Sequence, residues 1–100
     1  MLTVPARLPA PYIHADNRGM VLCNGPQCVL IAASQLRQCA ETFAIIAEEG
    51  RATRTQAQHV VGGFKQGGEV VIYAGTQDAL LSVTVSEADF RSVREAIATR

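Results

Sequence analysis

Two cysteines flank a four-residue turn in Leu22-Cys-Asn-Gly-Pro-Gln-Cys-Val-Leu30. Thiols at this spacing can hold a metal, cycle between dithiol and disulfide, or simply pack at a hairpin tip. Structural zinc takes four ligands, commonly from C-x₂₋₄-C pairs. Beyond Cys23 and Cys28 the chain offers Cys39, His14 and His59, with no second pair at ligand spacing. No metal and no other cofactor is therefore expected. Redox pairs usually sit as C-x-x-C at a helix N-terminus, which lowers the thiol pKa; here the spacing is longer and no helix opens at Cys23. Directly opposed strand residues have Cβ atoms about 4.5–5.5 Å apart, against about 3.8 Å in a disulfide. The expectation is a plain hairpin turn with two small, buried, reduced thiols.

The remaining candidates are weaker. No local motif joins a cysteine to a histidine as nucleophile and base. His14 and Asp16 share a strand face and read as a polar patch at a sheet edge. His59 beside Val60 reads as a histidine near the end of a short helix, where a cation suits the dipole. Gly62-Gly-Phe-Lys-Gln-Gly-Gly68 is glycine-rich. It matches neither phosphate-loop pattern, and it leaves a helix where such loops enter one. With no catalytic constellation in view, the chain reads as non-enzymatic.

These residues must be placed by one domain spanning residues 1–100, because a chain of 100 residues supports a single modest core. A hydrophobic fraction of 48% is enough for that core, but much of it is alanine and valine and tryptophan is absent. Nine basic and nine acidic side chains cancel, so no global field draws the chain to nucleic acid or an anionic membrane. No apolar run reaches the roughly 20 residues of a spanning helix. Three prolines break Met1–Pro11, which reads as an extended arm and not as a signal peptide. The expected location is the cytoplasm, where thiols stay reduced.

Short strands are expected over 12–15, 20–23 and 28–32. The last is apolar on both faces and therefore expected to be central. Ser34 then reads as the cap of a helix to residue 49, with Leu36, Ala40, Phe43 and Ala47 on one face and Gly50 as its stop. Thr53-Arg-Thr-Gln56 fits a capping box, predicting a second helix over 54–61 with Ala57, Val60, Val61 and Phe64 inward. Strands 69–74 and 79–85 follow, and Ser86 opens a last helix with Phe90, Val93 and Ile97 inward. The sum is an α+β domain of order ββ(β)-α-α-ββ-α, with three helices on one face of an antiparallel sheet of four to five strands.

Two functions fit this frame. The first is a protein-interaction, inhibitor or accessory module of the kind phages encode, binding another protein or a second copy of itself. If helices cover Val70, Ile72, Leu81, Val83 and Val85, then Val71, Tyr73 and Leu80 lie on the other face beside Ser82 and Thr84. That is an apolar patch with a polar rim, suited to a two-fold dimer. The second function is DNA binding by a helix-turn-helix followed by a β-hairpin wing, with Arg51, Arg54, Gln56 and Lys65 as donors.

Overall fold

The computed structural model describes residues 12–16 and 18–98. The arm expected over residues 1–11 lies outside them, and so does any pairing of His14 with the Asp16 side chain. The described residues form two antiparallel sheets and two helices, in place of the single sheet and three helices expected. Strands β1 (Tyr12–Asp16), β2 (Gly19–Asn24) and β3 (Gln27–Ala32) make a three-stranded meander in that order. Strands β4 (Arg51–Gln56), β5 (His59–Gln66), β6 (Glu69–Thr76) and β7 (Ala79–Ser86) make a four-stranded one. Helix α1 (Leu36–Glu49) joins the sheets after a single 3₁₀ turn, Ala33–Gln35, and α2 (Glu87–Ala98) follows β7.

The first three strands follow the turn chemistry of the sequence. Gly25, at φ 65°, sits in the two-residue loop between β2 and β3, a backbone region closed to most side chains. β2, not β3, is the central strand. The apolar run in β3 is not buried on both faces: Ile31 turns into the core while Leu30 is 75% exposed. α1 ends as expected at Gly50, whose left-handed φ of 92° lets its N–H reach the Ile46 carbonyl at 2.9 Å. Its start differs, because Gln35 and not Ser34 closes the first turn, accepting the Ala32 N–H at 3.3 Å. α2 opens on Ser86, whose hydroxyl accepts the Asp89 N–H at 3.1 Å, with Glu87 and Asp89 in the first turn where the dipole favours acids.

The helix expected over 54–61 does not form; those residues are the β4–β5 hairpin. Gly62 and Gly63 decide it. A helix interior loses about 1 kcal/mol for each glycine, whereas the sheet uses both for close approach. A Cβ at Gly63 would stand 3.1 Å from Ile46 Cδ1 and closer still to the Val71 carbonyl, so the bare backbone lets α1 settle onto the sheet. The glycine pair at 67 and 68, both at positive φ, makes the tight β5–β6 turn.

One core joins everything. α1 lies over β4 and β5, α2 packs on β1 and β7, and the helices touch each other. Phe43, fully buried, meets Phe90 at a ring separation of 5.4 Å and a tilt of 51°. Met20 and Leu22 of β2 close the core from the side of the smaller sheet. There Asn24 donates from Nδ2 to the Ser82 carbonyl at 2.9 Å, fastening the β2–β3 turn to β7.

Candidate interaction surface

Both helices pack on the same face of the four-stranded sheet. Val70, Ile72 and Ala74 of β6 and Leu81, Val83 and Val85 of β7 are buried there. The period of two sends the intervening residues to the opposite face, away from both helices, although Val60 there is only 6% exposed. The register sets them in rows: Arg51, Phe64, Val71 and Thr84; then Thr53, Gly62, Tyr73 and Ser82; then Thr55, Val60, Gly75 and Leu80. Val71 and Tyr73 are half-buried by their neighbours, while Phe64 is 37% and Leu80 50% exposed. Phe64 belongs to this face because 59–66 is a strand; the helix expected there had turned it inward.

Tyr73 is held flat on the surface. Its ring crosses Gly62, where a Cβ would meet the ring and the hydroxyl at 2.7 Å, and its hydroxyl bonds Thr53 Oγ1 on β4. Glycine in the middle strand thus makes the groove that the ring fills. A fixed aromatic with an apolar body and a satisfied hydroxyl is a common anchor in protein contacts.

The residues assigned to DNA do not share a surface. Arg51 lies on the open face, whereas Arg54 turns to the helix side and pairs with Glu41 of α1 at 2.8 Å. Lys65 also lies on the helix side, 3.8 Å from Glu87. Gln56 lines a narrow cleft between β3, α1 and the β4–β5 turn, together with Arg54, His59 and Cys39. His59 begins a strand and is exposed, not placed at a helix end. The cleft holds about 40 Å³ of free volume, room for a few waters. Burial pushes the Cys39 thiol up to about 11, and Arg54 pulls it partly back. At neutral pH that thiol is protonated and a poor nucleophile or metal ligand. Among the described residues no three His, Cys, Asp or Glu side chains gather as a metal site.

Cys23 and Cys28 pair directly across the β2–β3 turn with Cα atoms 4.1 Å apart, and they are joined by a disulfide. This corrects the expectation of two free thiols. The opposed register, at a close Cα separation, brings the sulfurs together; Cys23 is buried as expected, but Cys28, on the edge strand β3, is exposed. Around them Tyr12 and Leu30 leave a second apolar area on the outside of the smaller sheet, 44% and 75% exposed. Sequence reading missed it by taking β3 as central.

No described helix is long and apolar enough to cross a membrane. No known family model matches the chain, and neither a curated protein nor a solved structure is measurably similar to it.

Proposed function

We propose that this domain is a non-catalytic interaction or accessory module that works by binding another protein. The observation that supports it is the one-sided sheet: two helices on one face, and on the other an apolar strip of Phe64, Val71, Tyr73 and Leu80 that neither helix covers. Isolated exposed apolar residues are normal, but a contiguous patch with a hydroxyl-bearing rim is the usual form of a contact surface. Thr53, Thr55, Ser82 and Thr84 supply that rim. A phage-encoded inhibitor would have this form, and a second copy of the chain is one candidate partner.

The helix-turn-helix version of DNA binding loses its second helix to the β4–β5 hairpin, and two of its four donors are turned toward acids on the helix side. The proposed compartment is the cytoplasm; trapping of free thiols at lysis tests this, and a Cys23–Cys28 pair found oxidised in cells would assign the chain to an oxidising compartment.

The test of the function is affinity capture from the native host with mass spectrometry, comparing wild type with Tyr73→Asp. A protein retained by wild type and lost from a folded Tyr73→Asp variant is the expected result. Equal recovery by both would remove the sheet face from the reading.

A further inference from the structure

β4 is an edge strand of the larger sheet, paired on one side only. Its free side can be read residue by residue. Gln56 and His59 close a two-residue loop, so theirs is a hydrogen-bonded pair. The bond from the Lys65 N–H to the Gly50 carbonyl, 2.8 Å, falls in the same phase at the other end of the hairpin. Between them the pairs Arg51–Phe64, Thr53–Gly62 and Thr55–Val60 are the non-bonded ones. The N–H and C=O of Arg51, Thr53 and Thr55 therefore point away from β5. No backbone hydrogen bond among the described residues ends on them.

A second feature lies beside the same edge. Ile45 of α1 is 47% exposed and borders a groove with Glu41, Thr42, Ala52, Thr53 and Arg54. An open strand centre and an exposed apolar side chain thus share one position along β4.

We infer that this edge takes the β4 strand of a second copy, antiparallel, about a two-fold axis through Thr53. This deepens the protein-binding reading above and rests on it. The axis stands perpendicular to the sheet, so both copies keep their helices on the same side and only residues of one face can oppose each other. Thr53 then meets the partner's Thr53, Arg51 meets Thr55, and Ala52 meets Arg54. All the outward N–H and C=O groups of the three residues find partners. Threonine opposite threonine is a favourable cross-strand pair, and no like charges face each other. A register shifted by two toward the C-terminus sets Arg54 against Arg54; shifted the other way it leaves Thr55 opposite the end of α1, with no strand to bond. The same axis brings the two Ile45 side chains together over the strand centres. An unrelated extended peptide would satisfy the edge but would leave Ile45 uncovered, which favours a second copy. The product is one sheet of eight strands with a helix pair across its middle.

Sedimentation equilibrium at micromolar concentration tests this with the full chain. Wild type is expected as a dimer. Thr53→Pro removes the central outward N–H without removing a β4–β5 bond, and Ile45→Glu places a charge at the helix contact. Each is expected to give a monomer with an unchanged circular dichroism spectrum. Should Thr53→Pro disturb the fold, Ile45→Glu alone decides. Mixing Arg51→Cys with Thr55→Cys protein under mild oxidation should give a cross-linked heterodimer that forms faster than either homodimer. A wild-type monomer overturns the inference and leaves the sheet-face reading to its own capture experiment. A dimer that survives Ile45→Glu, or one lost in Tyr73→Asp but not in either edge variant, overturns it in favour of another surface.

Discussion

Phe43→Ala removes the side chain that joins the two helices. Phe43 is fully buried and Phe90 is 4% exposed, and their rings meet at 5.4 Å with a 51° tilt, inside the range of favourable edge-inclined pairs. Truncation of a fully buried phenylalanine costs about 3–5 kcal/mol. Up to about 1.5 kcal/mol of that belongs to the aromatic pair. A small domain has about 5–15 kcal/mol in total, so the single change removes a large share. With a urea slope of about 1–3 kcal/mol/M, a loss of about 4 kcal/mol lowers the midpoint by roughly 2 M. A cycle with Phe43→Leu, Phe90→Leu and the double variant separates pair from burial, and a coupling of about 0.5–1.5 kcal/mol is expected. Midpoints for Phe43→Ala within about 0.3 M of wild type would refute the placement of this pair at the centre of the core. Zero coupling with large single losses would leave burial intact and refute the contact.

Gly62→Ala should destabilise through crowding, because the new methyl meets the Ala52 carbonyl and the Tyr73 ring at 2.7 Å; a loss of about 1–3 kcal/mol is expected, and a stabilised variant would show that Tyr73 does not lie across this glycine. Cys39 should react slowly: its pKa is raised from 9.0 to about 11, so at pH 8 its thiolate is about a hundred times rarer than that of an ordinary thiol, and labelling as fast as a free cysteine would contradict its burial. The same shift sets a sign for stability. Between pH 9 and about 11 the unfolded chain has lost this proton while the folded one keeps it, so stability should fall as pH rises through that window in wild type and fall less in Cys39→Ala. Arg54→Ala removes an ion pair whose partners are 45% and 57% exposed, and its cost in a denaturant titration should stay below about 1 kcal/mol. A mobility shift with random duplex at low salt would restore nucleic acid as a partner; none is expected.

Much of the fold was legible because punctuation and period agreed. Gly50 after a helical stripe, Ser86 before two acids, and the alternation of Leu81, Val83 and Val85 each pointed to one structure, and each formed. The β4–β5 hairpin was hidden because its turn lacks turn chemistry. Ala57 and Gln58 occupy the loop, and Ala57 adopts φ 56°, a position where glycine or asparagine ordinarily marks the bend. Thr53-Arg-Thr-Gln56 meanwhile satisfied a helix-start pattern while also alternating threonines at strand period. The glycines at 62 and 63 were the available signal: two in succession argue against a helix interior, and only the packed structure shows that one receives Tyr73 and the other Ile46. The positions of Val71, Tyr73 and Leu80 on one face could be derived from period alone. Phe64 and the open edge of β4 could not, since both depend on that hairpin.

Every described strand pairs with the strand just before or after it in the chain, and all five reversals between paired strands span two residues. Such hairpins close in about 1–10 μs, and their short loops fix the register before distant contacts exist. The slow event is then the return of β7 and α2 to β1 and β2, across the whole length of α1 and the larger sheet. Until it happens, β7 is a second open edge, bare along the side that Asn24 later fastens. A chain slowed at this step, by Asn24→Ala for example, should refold with a slower main phase in stopped flow and aggregate more readily during refolding, although its finished sheet is the same.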